Sequence, residues 1–190
     1  GPGDPGLLTL KAARALAVAD VVLYDALVSP QVLEMARKDA QKVPVGKKGH
    51  GPSCRQADIN SMMVELALAG KTVLRLKGGD PLVFSRAGEE MEAAQAAGIP
   101  VEIIPGVTTA QAAAAALGVP LTHRHLARRL QLVTGHDHQG ALPEGVDWRA
   151  LADPAATTVV YMPKKTLSAL SDAVRAEGLP ANTPAAAVMD

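Results

Sequence analysis

Short apolar runs alternate with longer amphipathic segments along the chain, and glycine, proline or polar residues separate them. The short runs predict buried strands, which we place at 21–24, 42–45, 72–76, 101–104, 130–134 and 157–161. The longer segments predict helices, which we place at 7–19, 30–37, between 53 and 70, at 87–97, after 107 and at 164–177. Repeated strand-helix-strand units with short links predict a parallel sheet with right-handed crossovers.

Two of the predicted helices carry an apolar stripe. Between Ser53, a predicted N-cap, and Gly70, a predicted stop, apolar residues recur at i, i+3, i+4 and i+7. They are Ile59, Met62, Met63 and Leu66. The helix over 164–177 carries a second stripe of Leu167, Leu170 and Val174 and ends at Gly178. Each stripe predicts one buried helix face.

The chain has the length for one large domain or two small ones. We predict an N-terminal domain over 1–107 and a C-terminal domain over 108–190. The stretch 135–148 is rich in Gly, Pro, Asp and His and predicts a long loop of the kind that often carries function. The chain opens on a turn that normally follows a strand and stops just after an apolar run, so we expect both termini to be truncated.

Composition narrows the classes of function. Apolar residues make up 48% and charged residues 20% of the chain, which favours a packed core over disorder. The net charge is zero and aromatic residues make up only 2%, so neither a global field nor base stacking favours nucleic acid. No apolar run approaches the roughly 18 residues of a membrane helix. Cys54 is the sole cysteine, and we see no signal peptide, so a cytoplasmic protein without an intrachain disulfide is expected.

Three glycine-containing loops are candidates for a ligand site. They are 1–5, 78–81 and 105–109, and each precedes a predicted helix or follows a predicted strand. In an open parallel sheet, ligands bind beyond the carboxyl ends of the strands, where helix N-termini present free N–H groups. None of the loops matches the dinucleotide fingerprint or the phosphate-binding loop, which disfavours a dinucleotide or a nucleoside triphosphate. Each loop, taken alone, is also consistent with an ordinary turn.

Several short segments, in order along the whole chain, form one recognisable set. They are Gly-Pro-Gly-Asp-Pro at 1–5 with Leu-Leu-Thr-Leu-Lys at 7–11, Tyr-Asp-Ala-Leu-Val-Ser at 24–29, Val-Gly-Lys-Lys at 45–48, Arg-Leu-Lys-Gly-Gly-Asp-Pro at 75–81, Arg-Ala-Gly-Glu-Glu at 86–90, Pro-Gly-Val-Thr at 105–108, Pro-Leu-Thr-His-Arg at 120–124, Val-Thr-Gly-His at 133–136 and Val-Tyr-Met at 160–162. With these segments the chain resembles the uroporphyrinogen-III C-methyltransferases of the tetrapyrrole methylase family.

That resemblance implies a fold and an activity. The fold is a two-domain α/β tetrapyrrole methylase fold, with a parallel-rich sheet in the N-terminal domain, a mixed sheet in the C-terminal domain and the cofactor in the cleft between them. The cofactor is S-adenosyl-L-methionine, which becomes S-adenosyl-L-homocysteine, and no metal is expected. Two methyl groups pass to ring carbons of uroporphyrinogen III to give precorrin-2, in sirohaem or cobalamin biosynthesis. A homodimer is expected.

The resemblance also implies the site residues. The cofactor positions are Pro2, Gly78, Gly79, Asp80, Val83, Thr108, Thr109 and Met162. Asp25 matches the proton acceptor and Lys47 the proton donor, and Arg86 is a further candidate for the catalytic set. We expect Arg86, Arg124 and His123 to bind the substrate, whose eight carboxylates call for cationic partners.

Elementary chemistry agrees with a small catalytic set and leaves some roles open. Methyl transfer from a sulfonium depends mainly on positioning in a dry site, and a pyrrole carbon that has been methylated must later lose a proton. Asp25 at a strand end suits that base, although a turn or cap role is the alternative. Lys47 could equally bind a substrate carboxylate. Glu89 and Glu90 could orient Arg86, but at a helix N-terminus they also interact favourably with the helix dipole.

Five positions depart from the family pattern: Leu82, Ser85, Ala87, His125 and Pro163. His125 replaces an aspartate and changes the charge beside the expected substrate channel. Pro163 replaces a glycine and restricts the backbone next to the expected cofactor site.

Three rival hypotheses remain at this stage. The pairs His123 with His125 and His136 with His138 suggest a zinc hydrolase, since residues two apart on an extended segment face the same side. A tetrapyrrole methylase fold with another acceptor, such as a later corrin intermediate or the diphthamide of a translation factor, is the second rival. A non-catalytic cofactor-binding fragment is the third.

Overall fold

The structure is a computed structural model that describes residues 2–46, 54–137 and 139–189. The chain forms two compact units, Gly1–Ala112 and Ala113–Asp190, and the division falls inside a helix. The predicted domains divide slightly earlier, at 107/108, and their assignment to separate roles stays a prediction. Of the described residues, no helix combines the length and the apolar character needed to cross a bilayer.

The first unit is built on a parallel sheet of three strands in the order β2-β1-β3. The strands are β1 (Val21–Tyr24), β2 (Gln41–Pro44) and β3 (Val73–Leu76). In register, Val21 lies between Gln41 and Val73. The parallel sheet predicted from the alternation of elements is therefore confirmed, because helices connect these strands as crossovers.

Helices follow the strands closely. They are α1 (Leu10–Val18), α2 (Pro30–Leu33), α3 (Gln56–Leu68), α4 (Ala87–Ala96) and α5 (Thr109–Leu117), and a short 3-10 turn over Pro5–Leu7 precedes them. Thr9 caps α1 by accepting a hydrogen bond from the Ala12 N–H, and helix N-termini favour such hydroxyl acceptors. The predicted cap Ser53 lies outside the described residues, and α3 begins after Arg55.

Helices cover both faces of the sheet, and successive side chains of β1 point to opposite faces. Val22 packs with Leu16 of α1 and Val32 of α2 on one face. Val21 and Leu23 pack on the other face against the stripe of α3, namely Ile59, Met62, Met63 and Leu66. That stripe was predicted and is confirmed. Each fully buried aliphatic side chain contributes about 1.5–3 kcal/mol to the stability of the fold, so packing on both faces fixes the position of the strands and of their carboxyl ends.

The second unit contains a two-stranded parallel sheet formed by β4 (Arg129–Thr134) and β5 (Ala156–Tyr161). The helices α6 (Trp148–Leu151) and α7 (Leu167–Ala176) pack with it around a core that includes Leu151, Ala152 and Val174. Leu170 and Val174 of the predicted α7 stripe are buried, but Leu167, the first residue of the helix, is 53% exposed.

Two expectations differ from the structure, and a third is confirmed. The segment 101–104 belongs to no described strand, since no hydrogen-bonded ladder joins it to β1, β2 or β3. The C-terminal sheet was expected to be mixed, whereas its described strands pair in parallel and the antiparallel element is one isolated bridge between His123 and Ala127. The predicted long loop 135–148 is confirmed over its described residues, up to Trp148, where α6 begins after the Asp147 cap.

Candidate functional site

The carboxyl ends of β1 and β3 place two charged residues side by side. Asp25 directly follows β1 and Lys77 directly follows β3, and the Asp25 N–H donates to the Leu76 carbonyl at 3.4 Å. Arg75 projects from β3 on the same face as Lys77, because residues two apart on a strand face the same side. Its Nη2 donates to Asp25 Oδ1 at 2.5 Å. Asp25 is therefore held in an ion pair at the edge of the sheet.

Glu90 of α4 completes a buried charge cluster. Its Oε1 accepts from Arg75 Nε at 3.0 Å and from Lys77 Nζ at 2.9 Å, and Gln56 of α3 adds a third donor at 3.2 Å. The residue is 5% exposed. A buried carboxylate needs this degree of pairing, because an uncompensated charge away from water is strongly unfavourable. We call Asp25, Arg75, Lys77 and Glu90 the buried charge cluster.

Sequence reasoning missed most of this cluster. It considered Glu90 only as a partner of Arg86 or of the helix dipole, and it did not single out Arg75 or Lys77. A signal was present in the sequence: Glu90 shares the i, i+3, i+7 stripe of α4 with Ala87 and Ala94, which the structure buries. An acidic residue on a stripe of small residues indicates a buried charge that needs cationic partners.

Two of the glycine-containing loops meet at this edge. Asp80 Oδ1 accepts from the Leu82 N–H at 2.8 Å, and Asp80 Oδ2 accepts from the Gly106 N–H at 2.9 Å. A Cβ on Gly106 would lie 2.3 Å from the Gly79 carbonyl oxygen, so only glycine permits the approach. Gly79 itself has a φ of +69° and lies beside Thr109 Oγ1. The loops 78–81 and 105–109 therefore form one continuous backbone surface.

A small hollow lies between these loops and the start of α1. Its lining combines Gly79, Pro105 and Gly106 with the apolar residues Leu8, Ala12, Leu74 and Ile104. Arg75 and Lys77 contribute to its lining as well. A mainly apolar lining with a few charged residues is the usual composition of a small-molecule site.

The remaining residues predicted for the cofactor in the first unit lie around the same loops. Thr108 precedes α5 and exchanges hydrogen bonds with Gln111, with its N–H donating to Gln111 Oε1 at 3.1 Å. The Val83 N–H donates to the Asp80 carbonyl at 3.3 Å. The opening loop, which contains Pro2, is anchored by a hydrogen bond from Ser29 Oγ to the Gly3 carbonyl at 2.6 Å. Gly78 lies near Leu27.

Arg86 stands in a strained turn and is paired with Glu89. Phe84 and Arg86 adopt left-handed φ values of 50° and 60°, which is uncommon for residues with a side chain. Arg86 Nε and Nη2 donate to the two Glu89 carboxylate oxygens, both at 2.7 Å. These two hydrogen bonds lower the pKa of Glu89 and raise the pKa of Arg86. Arg86, 60% exposed at its side chain, is therefore a fixed cation facing solvent.

Met162, the cofactor residue predicted in the second unit, also has unusual backbone geometry. Its φ is +58°, and its carbonyl accepts from His136 Nδ1 at 3.0 Å. A Cβ on Gly135 would lie 2.6 Å from Pro163 Cα, so the ends of β4 and β5 pack tightly. The buried Thr166 hydroxyl donates to the Gly135 carbonyl. His136 and Thr166 thus hold the turn that contains Met162.

His123 and Arg124 lie in a short exposed turn of the second unit. His123 and Ala127 exchange backbone hydrogen bonds at 2.8 and 3.0 Å. His123 Nδ1 accepts from the His125 N–H at 3.2 Å, and the Arg124 carbonyl accepts from Arg128 Nε at 2.8 Å. Within residues 2–46, 54–137 and 139–189, no group of three or more His, Cys, Asp or Glu side chains is arranged to hold a metal ion. His138 lies outside these ranges.

The structure therefore brings together part of the predicted site. Asp25 and the cofactor residues of the loops 78–81 and 105–109 share one edge of the first unit, and Arg86 follows shortly after the first of these loops. Met162, His123 and Arg124 belong to the second unit. Lys47 lies outside the described residues.

Comparison with known proteins gives the family. The model of the Tetrapyrrole (Corrin/Porphyrin) Methylases matches residues 1–190. The chain belongs to the tetrapyrrole methylases. This confirms the family resemblance inferred from the short segments, and with it the α/β fold class.

Relatives of this tetrapyrrole methylase chain are informative. It is 48% identical over 188 residues to a siroheme synthase of Zymomonas mobilis, and the match covers 99% of the chain and 40% of the relative. It is 50% identical to the chloroplastic S-adenosyl-L-methionine-dependent uroporphyrinogen III methyltransferase of Arabidopsis thaliana, covering 99% of the chain and 51% of the relative. The chain thus spans about half or less of the length of these relatives.

A solved structure of a tetrapyrrole methylase supports the fold. The uroporphyrin-III C-methyltransferase of Thermus thermophilus, complexed with S-adenosyl homocysteine, is 42% identical with a TM-score of 0.77. The match covers 94% of this chain and 74% of that one.

Proposed function

We propose that the chain catalyses S-adenosyl-L-methionine-dependent C-methylation of uroporphyrinogen III at two ring carbons, giving precorrin-2. The observation that carries the proposal is the junction of the loops 78–81 and 105–109 through Asp80 and Gly106 at 2.9 Å. The identities of 48% and 50% to a siroheme synthase and to a uroporphyrinogen III methyltransferase support the choice of substrate.

The residues of the first unit fit a bound adenosyl group in composition. Glycine at 79 and 106 removes the side chains that would otherwise fill the junction, and the hollow beside it has apolar walls. The residues proposed to hold the cofactor are Met162 of the second unit and, in the first unit, Pro2, Gly78, Gly79, Asp80, Val83, Thr108 and Thr109. When bound, S-adenosyl-L-methionine supplies an electrophilic methyl group.

Asp80 has a particular place in this proposal. Both of its carboxylate oxygens already accept backbone N–H groups, at 2.8 and 2.9 Å. It therefore supports the cofactor by fixing the two loops in one conformation. Preorganised loops avoid the ordering cost that a mobile site would incur on binding.

Asp25 is the proposed proton acceptor. Arg75 engages its Oδ1, while Oδ2 has no partner among the residues that the structure describes. The side chain is 28% exposed, which permits contact with a bound molecule. A carboxylate in this setting suits removal of the proton from a methylated pyrrole carbon.

Cationic residues provide for the acidic substrate. Arg86 is exposed and ionised, and its guanidinium geometry suits paired hydrogen bonds to carboxylate. Arg124 and His123 are exposed in the second unit, and Lys47 is proposed as proton donor or as a further carboxylate ligand. Arg86 is included in the catalytic set together with Asp25 and Lys47.

The setting of the activity is also proposed. We infer a homodimer that acts in the cytoplasm in sirohaem or cobalamin biosynthesis. The siroheme synthase relatives support the first of these pathways.

The test combines binding and turnover. Calorimetry should detect binding of S-adenosyl-L-homocysteine, and incubation with S-adenosyl-L-methionine and uroporphyrinogen III should yield a tetrapyrrole with two added methyl groups. Binding without methylation would favour a non-catalytic cofactor-binding fragment, and methylation only of a later corrin intermediate would favour a different acceptor. The Asp25→Asn variant should bind the cofactor product but lose turnover by about 100-fold or more, the usual contribution of a general base.

A further inference from the structure

The buried charge cluster contains more charge than a single ion pair at Asp25 requires. Side-chain exposures fall from 28% at Asp25 to 12% at Arg75, and to 7% and 6% at Lys77 and Glu90. The charges alternate in sign along the contacts, from Asp25 to Arg75 to Glu90 to Lys77. The cluster therefore has a net charge of zero and connects the sheet edge to the interior.

Stability alone does not account for this arrangement. Desolvation of buried ions opposes much of their mutual attraction, and apolar residues of similar size often stabilise a fold at least as well. An alternating chain of charges does, however, fix the orientation of each member. We therefore expect the buried charge cluster to serve mainly to position its side chains.

The Arg75 guanidinium is fixed on all sides. Nε donates to Glu90 at 3.0 Å and Nη2 donates to Asp25 at 2.5 Å. Nη1 donates to the carbonyls of Leu23 and Leu76, at 3.3 and 3.1 Å. These carbonyls belong to β1 and β3, so the planar group bridges the two strands and has one orientation relative to Asp25.

We propose that Arg75 is a positioning residue for Asp25 and that Glu90 positions Arg75 from α4. Arg75 holds the Asp25 carboxylate through Oδ1, and Oδ2, which accepts no hydrogen bond from the described residues, is the oxygen proposed to accept the proton. Glu90 sets the rotation of the guanidinium through Nε, and Lys77 balances the charge of Glu90 from the other side. The proposal rests on the proposed function, in which Asp25 accepts the proton.

A purely structural role makes a different prediction. If Arg75 only holds β1, β3 and α4 together, its replacement should reduce turnover equally whether or not Asp25 is present. If it acts through Asp25, the effect should vanish once Asp25 has lost its carboxylate, because residues that act as a unit are not additive.

The experiment is therefore a double-mutant cycle of Arg75→Lys and Asp25→Asn. Lysine keeps the charge but cannot donate to Glu90, Asp25 and two carbonyls from one plane. The proposal predicts that Arg75→Lys lowers kcat by about tenfold or more, within the range of general-base effects. S-adenosyl-L-homocysteine binding should remain within about twofold, and Asp25→Asn/Arg75→Lys should be no slower than Asp25→Asn.

The matched control is Arg37→Lys. Arg37 makes a similar two-point pair with Asp39, at 2.9 and 3.0 Å, but on the surface before β2. Its replacement should leave kcat unchanged. If Arg75→Lys does not fold, Glu90→Gln/Lys77→Met removes one buried charge of each sign and enters the same cycle.

The outcomes separate the two levels of the proposal. If the parent chain is active and the losses of turnover in the two single variants are additive in the double variant, only the positioning role is overturned. Parent chain that binds the cofactor product but methylates no tetrapyrrole overturns the proposed function and the positioning role with it. Loss of turnover that disappears in the Asp25→Asn background supports both.

Discussion

The Asp80 carboxylate accepts a hydrogen bond from the Gly106 N–H at 2.9 Å, across 26 positions of sequence. This contact joins the loop after β3 to the loop before α5. It ties two loops of the proposed cofactor site to each other, so we expect the conformation of both loops to depend on this pair.

Asp80→Asn tests that dependence. The amide retains one acceptor oxygen and no charge, so one of the two backbone N–H groups loses its partner. Charge-assisted hydrogen bonds contribute about 1.5–3 kcal/mol, and about 1.4 kcal/mol corresponds to a tenfold change in affinity. We expect S-adenosyl-L-homocysteine to bind about tenfold more weakly in calorimetry. Asp39→Asn, an exposed surface change, should leave affinity unaltered, and equal affinities for all three proteins would contradict the prediction.

Gly106→Ala tests the close approach of the two loops. Its Cβ would lie 2.3 Å from the Gly79 carbonyl oxygen, so the backbone must shift. Overpacking of this kind costs about 1–3 kcal/mol, and thermal unfolding should show a lower Tm. Gly88→Ala is the matched control, because its Cβ meets nothing within 4 Å and it lies inside α4. That control should unfold at the same or a higher temperature, and a Gly106→Ala protein as stable as its parent would refute the prediction.

His136→Ala tests the support of Met162. The imidazole hydrogen bond to the Met162 carbonyl at 3.0 Å holds a residue whose φ is +58°. A net hydrogen bond contributes about 0.5–1.5 kcal/mol, so S-adenosyl-L-homocysteine affinity should fall by roughly threefold to tenfold while the Tm changes little. The exposed Lys164→Ala provides the control. A variant with weakened folding but normal affinity would show that the contact serves only stability.

Asp20 predicts a pH dependence of stability. The Thr72 N–H donates to Asp20 Oδ2 at 2.8 Å, and this hydrogen bond, followed by the Arg37 charge, lowers the pKa of Asp20. A carboxyl with a lowered folded-state pKa adds stability above its unfolded pKa of about 3.9 and loses it as pH falls through the folded value. Asp20→Asn should therefore lower the free energy of unfolding at neutral pH, and lower it by less in acid.

Denaturant titrations of the parent chain and of Asp20→Asn, near neutrality and at about pH 3, measure this difference. Asp172→Asn, a change at an exposed position of α7 in the second unit, is the surface control. A gap between parent and variant that stays constant with pH would show that Asp20 acts without its charge.

The sequence predicted the parts of the fold that local patterns determine. Val21–Tyr24 is predicted to the residue because apolar side chains lie between Asp20 and Asp25. The stripe of α3 is likewise a local pattern, and it packs as expected. The segment 101–104 has the same apolar character but forms no described strand, because a strand also needs a hydrogen-bonding neighbour, which composition does not reveal.

The candidate site divides in the same way. Glycine-containing loops at strand ends were recognisable from sequence, and the contact of Asp80 with Gly106 joins two of them. The partner of Glu90 was not recognisable, because the choice between Arg86 nearby and Arg75 on β3 depends on tertiary packing. In the structure Glu89 takes Arg86 and Glu90 turns inward.

The central claim is the proposed double methylation of uroporphyrinogen III. Its most direct test is mass spectrometry of the tetrapyrrole after incubation of the chain with methyl-labelled S-adenosyl-L-methionine and uroporphyrinogen III. The account predicts a product that carries two labelled methyl groups on ring carbons, with Asp25→Asn yielding little of it. Unlabelled tetrapyrrole, from a folded chain that binds S-adenosyl-L-homocysteine, would contradict the account.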